Sequence, residues 1–276
     1  MAAIRFLNTA PLLWGLETEP RLQLFSTVPS ACADALAAAQ ADIGIIPAIE
    51  LARIPDLWVL PGVAVAARRE VRSILLILRR PPEKVRRLAL DRNSRTSAAL
   101  AQILLKRRYG ARFEITDAAP GWRPAAASAD ACLLIGDPAL QLKLSGEAEA
   151  AGMQVLDLAA DWHEWTGLPF VFALWAVRAA ALPETHGSDA QWLAARFLRA
   201  RREGFAHLEA ICRDWARRLA LPEEEIRHYL EYNLEHRLEL DHLEGLRHFL
   251  QLAAEEKLID EARMLNFLGE ATEPML

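Results

Sequence analysis

The segment Asp91-Arg92-Asn93-Ser94-Arg95-Thr96-Ser97 gathers three hydroxyls, several backbone N–H groups and the positive start of a helix within one turn. Such a turn suits a carboxylate or a phosphate. It has neither the glycine spacing nor the lysine of a nucleotide-binding P-loop, and an ordinary polar helix cap would use the same residues. Asn8 and Thr9 put an amide and a hydroxyl directly after a short apolar run. An amide donates and accepts hydrogen bonds without carrying charge, although a turn cap is the plainer use. Ser30, in Thr27-Val28-Pro29-Ser30, stands where a helix would open with unpaired N–H groups. Ser73 begins an apolar run beside Arg72 and is placed to hydrogen-bond a carboxylate. Gly136-Asp137 follows another apolar run, and Thr166-Gly167 precedes a third. Both pairs read either as turns or as cleft residues. Asp137 and His163 are the candidate proton carriers.

Other chemistries lack their residues. No H-E-x-x-H, Cys/His metal spacing, G-x-S-x-G elbow or G-x-G-x-x-G fingerprint occurs. His228, His236, His242 and His248 lie on helical, charge-rich sequence and read as surface residues. Cys32, Cys132 and Cys212 are far apart, odd in number and set in apolar or helical stretches. They read as small buried hydrophobes rather than a disulfide framework. The net charge is −5, from 32 basic and 37 acidic residues, and only Lys84, Lys106, Lys143 and Lys257 are lysine. A mildly acidic chain without a dense basic tract argues against nucleic-acid binding. With arginine so uniformly preferred, a lone arginine says little about anion binding. Hydrophobic residues make up 53% of the 276 and charged ones 25%, enough for a full core and no sign of disorder. No apolar run approaches a membrane span, and the N-terminus does not read as a signal peptide. A soluble, cytoplasmic protein is expected, with no membrane partner.

The elements that must position these residues alternate. Ile4 to Leu7, Leu22 to Thr27, Ile43 to Ile46 and Val71 to Leu78 read as strands, with helices over Ala31 to Ala39 and up to Arg53. The pattern restarts with strands at Arg87 to Leu90, Phe113 to Thr116 and Ala131 to Ile135. A helix from Arg95 to Tyr109, ended by Gly110, lies among them. Phe170 to Val177 is a long apolar strand. Ala119 to Ala129 reads as a loop, and everything from Ala190 onward as helix. Alternating strands and helices indicate an α/β protein with mainly parallel sheets. Two such units, joined near residues 80–88 and 175–185, make two lobes around a cleft. Residues 1–85 with 180–276 form the first lobe, and 86–179 the second. Ligands of such sheets bind beyond the carboxyl ends of the strands.

Taken in order, these segments resemble the chorismate dehydratase family of the futalosine route to menaquinone. The matching pieces are FLNTAPL (6–12), VPSACADAL (28–36), ADIGIIPAIE (41–50), VRSILL (71–76), LALDRNSRTSAAL (88–100), ADACLLIGDPAL (129–140), DLAADW (157–162) and TGLPFVFALWAVR (166–178). The tail YLEYNLEHRLELDHLEGLRHF looks like the family's helical C-terminal segment. D-x-x-S-R-T-S and T-G-L-P-F-V-F-A-x-W are the specific motifs. One departure is Thr9-Ala10, where the family more often has Ala after the Asn.

The resemblance implies a type 2 periplasmic-binding-protein-like fold with a C-terminal helical segment. It implies loss of water from chorismate to give 3-[(1-carboxyvinyl)oxy]benzoate, without metal or cofactor. Asn8 and Ser73, with Asp137, are then the expected catalytic residues. Ser30, Ser94, Thr96, Ser97, Gly136, Thr166 and Gly167 are the expected substrate contacts. The helix starts at Ser30 and Ser94 would each hold one carboxylate of the dianion, and Arg95 is expected to face solvent. The substrate's own side-chain carboxylate is a further candidate base. Two other readings compete: the 1,4-dihydroxy-6-naphthoate synthase of the same route, whose N-terminal motif differs from the Leu-Asn-Thr-Ala-Pro-Leu seen here, and a non-enzymatic ligand sensor of the same fold. A homodimer is compatible with all three.

Overall fold

The computed structural model describes residues 1–91, 94–118, 121–182 and 187–269. Arg92, Asn93, Ala119, Pro120 and His186 fall outside the described residues. The chain begins with β1 (Ala2–Ile4), a 3₁₀ helix (Leu7–Leu12), β2 (Phe25–Thr27), α1 (Pro29–Ala37), β3 (Ile43–Pro47), α2 (Glu50–Arg53) and β4 (Leu57–Ala67). Then follow β5 (Ile74–Leu78), β6 (Arg87–Leu90), α3 (Arg95–Ile103), β7 (Glu114–Asp117), α4 (Trp122–Ser128) and β8 (Ala131–Ile135). α5 (Asp137–Ser145), α6 (Glu147–Ala150), β9 (Gln154–Asp157), α7 (Leu158–Thr166) and β10 (Phe170–Arg178) come next. The tail is α8 (Ser188–Ala206), α9 (Leu208–Leu219), α10 (Glu223–His228) and α11 (Leu240–Glu255).

Two five-stranded sheets result, in the orders β2-β1-β3-β10-β4 and β7-β6-β8-β5-β9. They repeat one plan. In the first sheet β1 runs parallel to β2 and β3, and β10 lies antiparallel between β3 and β4. In the second, β6 runs parallel to β7 and β8, and β5 lies antiparallel between β8 and β9. The sheets are therefore mixed rather than mainly parallel. Each antiparallel strand is the first one laid down after the chain crosses over. The crossings lie at residues 68–73 and 167–169, not near 80–88 and 175–185. β5 belongs to the second sheet and β10 to the first, so sheet membership changes before each of those apolar runs instead of after it.

Other expectations shift for local reasons. The first strand ends at Ile4, and Asn8 lies in a 3₁₀ turn instead of after a strand ending at Leu7. Residues 122–128 are helix α4, not loop, because Pro124 falls in its first turn, where a missing N–H costs nothing. β4 carries Pro61-Gly62 in its middle, an interruption that hides an eleven-residue strand from pattern reading.

The central strands are mostly buried while the edge strands β2 and β7 are largely exposed, and the largest enclosed side chains pack on β10 and the helices beside it. Trp162 of α7 meets Phe170 of β10 at 5.4 Å and Phe249 of α11 at 6.5 Å. Trp175 meets Phe197 of α8 at 4.8 Å. All three cysteines are free and buried, as expected. Among the described residues no helix is long and apolar enough to cross a membrane.

Candidate active site

A cleft lies between the sheets. The first sheet contributes the 3₁₀ turn with Asn8 and Thr9, the end of β3 at Pro47, and Phe172 of β10. The second contributes Ile74 at the start of β5, Ser94 to Ser97 at the start of α3, and Ile135-Gly136 at the end of β8. The walls are mostly apolar. Two buried polar atoms in them, Asn8 Oδ1 and Ser94 Oγ, have no hydrogen-bond partner among the described residues. Buried polar atoms are rarely left unpaired. These two come from opposite sheets and line the same space, which marks it as a place for a polar ligand.

Local chemistry explains the aim of each. Thr9 Oγ1 lies 2.6 Å from Ile4 O and 2.9 Å from Phe6 O. Its hydroxyl closes the turn from β1, which leaves the amide of Asn8 for the cleft. Ser94 precedes α3 but makes no side-chain cap bond. Its hydroxyl therefore remains for a ligand at a helix start, an end that favours an anion. Thr96 is already engaged, its Oγ1 accepting from Ile49 N at 3.2 Å across the cleft. Ser97 lines the cleft beside it.

Arg95 does not face solvent as expected. It lines the cleft and reaches across to the first sheet, with Nη1 at 3.1 Å from Glu50 and Nη2 at 2.7 Å from Asp34. The cause is Glu50, a buried carboxylate at the start of α2 that needs cationic partners and finds them in Arg53 and Arg95.

Asn8, Ser94, Thr96, Ser97 and Gly136 are thus brought together. The other sequence candidates stand elsewhere. Ser73 is buried behind the lining, where its Oγ accepts the Tyr229 hydroxyl at 2.7 Å and its carbonyl accepts Gly136 N–H at 2.8 Å. Ser30 is buried in α1 next to Pro29, which does line the cleft. Asp137 opens α5, and its Oδ1 accepts Leu7 N–H at 3.0 Å, tying the second sheet to the 3₁₀ turn. Burial pushes its carboxyl up to about 6 against the pull of that N–H. Thr166 and Gly167 end α7 away from the cleft. Thr166 Oγ1 donates to Trp162 O at 2.8 Å, and Gly167, at φ +76°, donates to His163 O at 2.7 Å. His163 stays there too, with Nδ1 3.4 Å from Leu168 O.

Two histidines read as surface residues are buried: His236 at 3% and His242 at 1% exposure. His236 Nε2 lies 2.7 Å from Asn8 O. The signal was available: Leu234, His236 and Leu238 are buried at every second position, the period of an extended segment rather than a helix. His242 bonds Glu235 at 2.6 Å, outside the cleft. With Glu239 and Asp241 it forms the one metal-spaced trio among the described residues. Asp241 is held by Arg68 at 2.6 Å, and Glu239 caps α11.

A family model described as menaquinone biosynthesis matches residues 1–255. The chain belongs to the menaquinone biosynthesis family. A curated chorismate dehydratase from Thermus thermophilus is 30% identical over 260 residues, covering 90% of this chain and 92% of that protein. Among solved structures, an Archaeoglobus fulgidus protein superposes with a TM-score of 0.68 at 19% identity, covering 94% of this chain and 97% of that one. The periplasmic aliphatic sulphonate binding protein of Escherichia coli does so at 0.62 and 17%, covering 99% and 97%. The menaquinone biosynthesis family member described here therefore has the periplasmic-binding-protein-like fold, two α/β lobes with a helical C-terminus.

Proposed function

We propose that this chain is a chorismate dehydratase, a carbon–oxygen lyase that removes water from chorismate to give 3-[(1-carboxyvinyl)oxy]benzoate for menaquinone biosynthesis. The observation that carries the reading is the pair of unpartnered buried atoms, Asn8 Oδ1 and Ser94 Oγ, facing one apolar cleft at the start of α3. The helix start suits a carboxylate of the dianion. The neutral amide of Asn8 suits a hydroxyl or ether of the ring, and the apolar walls suit the ring itself.

The cleft lining limits the mechanism. Among the described lining residues there is no His, Asp, Glu, Lys, Cys or Tyr, and Arg95 is paired with two carboxylates. In the elimination the C3–H bond breaks, its electron pair becomes the new ring double bond, and the C4–O bond breaks. The departing oxygen takes up a proton and leaves as water. Aromatisation drives the step, so orientation matters more than a strong base. A lining without ionisable bases favours the substrate's side-chain carboxylate as the proton acceptor. Asp137, with its Oδ1 engaged by Leu7 N–H, acts in this reading by holding the Asn8 turn.

The cavity volume is about 60 Å³, room for a few waters but not for a ring bearing two carboxylates. The lobes, pivoting at residues 68–73 and 167–169, must therefore part to admit substrate. The contacts that bridge them, Arg95 to Asp34 and Glu50, Thr96 to Ile49, and Asp137 to Leu7, close the cleft again. Incubation of the purified chain with chorismate should yield the aromatic product. Asn8→Ala should lower kcat/KM about a hundredfold and shift stability by less than about 1 kcal/mol, because its Oδ1 has no partner to lose. Absence of aromatic product from the wild-type chain would overturn the assignment.

A further inference from the structure

We propose that His236 is the positioning residue that aims Asn8 into the cleft, its Nε2–H holding the Asn8 carbonyl from behind. The inference rests on the reading of the cleft as the site of chorismate dehydration. It begins with Asn8-Thr9-Ala10-Pro11. In a 3₁₀ turn the carbonyl of a residue is met by the N–H three residues on. For Asn8 that residue is Pro11, which has no N–H. The turn that carries the cleft amide therefore lacks its own internal donor, and the buried carbonyl needs one from outside.

His236 supplies it. Its Nε2 is 2.7 Å from Asn8 O, a contact spanning 228 residues of sequence. A carbonyl only accepts, so the ring carries its proton on Nε2. The other nitrogen, Nδ1, is buried without a partner among the described residues. Burial, with Arg201 nearby, pushes the ring's pKa down to about 4, so it remains neutral at physiological pH. The ring is itself fixed. Glu235 pairs with Ala66 of β4 through both backbone bonds, at 2.8 and 2.9 Å, and Phe205 packs edge-on to the imidazole at 5.3 Å. One hydrogen bond thus joins a rigid extended segment of the tail to the backbone of the residue whose side chain faces the ligand.

A double-mutant cycle with chorismate turnover tests this, using the full chain and the variants His236→Ala, His236→Gln and Asn8→Ala. His236→Ala should lower kcat about ten- to a hundredfold with KM changed less than about twofold, since what is lost is aim. His236→Gln restores an N–H donor at a similar reach and should recover most of the rate. It also keeps the test open if the alanine variant folds poorly. In the Asn8→Ala background the main-chain carbonyl is still held, but the aimed amide is gone, so His236→Ala should cost less than about twofold. An equal loss in both backgrounds, or no loss in either, would overturn the positioning role. If the wild-type chain does not turn over chorismate, the functional reading fails separately. The positioning role is then judged from the ¹⁵N-labelled side-chain amide of Asn8, assigned by its loss in Asn8→Ala. That signal should move in His236→Ala and return towards its original place in His236→Gln, and an unmoved signal would overturn the proposal.

Discussion

The two crossings between the sheets do the same topological job and are held in opposite ways. At residues 68–73 the ties come from far away in sequence. Asp157 accepts Val71 N–H at 3.0 Å and Arg72 N–H at 2.6 Å while also capping α7 through Ala159 and Ala160. Asn233 donates to Glu70 O at 3.0 Å, and Tyr229 to Ser73 Oγ at 2.7 Å. Arg72 sits at φ +59°, a backbone conformation unusual for a residue with a side chain. Its guanidinium reaches Glu70 and Glu225. At residues 167–169 the ties are local: Leu168 N–H to Thr166 Oγ1 at 3.2 Å, and Gly167 N–H to His163 O. The distant contribution is close packing, since a Cβ on Gly245 of α11 would lie 2.1 Å from Pro169 O. The first crossing is thus pinned by long-range hydrogen bonds, and the second by a helix end and close packing.

The most damaging way to break this contrast is Asp157→Ala. Two N–H groups of the first crossing and the cap of α7 lose their acceptor together, at about 1–3 kcal/mol for each buried group left unpaired and about 1 kcal/mol for the cap. A fall in stability of about 3 kcal/mol or more in urea unfolding is expected. A loss under about 1 kcal/mol would mean the crossing is not held there. Gly245→Ala should cost about 1–3 kcal/mol by overpacking, read as a fall in Tm. Amide exchange at Val71 and Arg72 should stay unchanged, since the second crossing is secured independently. Faster exchange at those two amides would show the crossings to be coupled. Tyr229→Phe removes a single hydroxyl and should cost about 0.5–1.5 kcal/mol in thermal unfolding. No change in Tm would show that this bond adds nothing to the first crossing.

What the sequence revealed follows from how local each cause is. β3, β6, β8 and β10 were legible as continuous apolar runs because they are buried on both faces. Asn8, Ser94, Ser97 and Gly136 were legible because they sit at element ends, where unpaired groups gather. The crossings were misplaced because no local pattern tells a strand which sheet will accept it. β5 and β10 owe their places to antiparallel partners far along the chain. Ser73, Thr166 and Gly167 carry the right chemical groups for a cleft. The hydroxyls of Ser73 and Thr166 bond to Tyr229 and to the α7 backbone, and Gly167 ends that helix. Arg95 was misread because its orientation is set by Glu50, 45 residues earlier. His236 needed its extended spacing and the proline in the Asn8 turn to be considered together.

The insertion of β10 between β3 and β4 has a consequence for how the molecule is made. The first 67 residues hold four of the five strands of their sheet but cannot join β4 to the other three, because the strand that belongs in the gap ends at Arg178. At translation rates of about 5–20 residues per second, the nascent chain waits on the order of ten seconds with the facing edges of β3 and β4 unpaired. Open strand edges of that kind invite pairing with other chains. Synthesis in the presence of chaperones should therefore raise the yield of folded protein, and truncations ending before residue 178 should aggregate instead of folding as separate lobes.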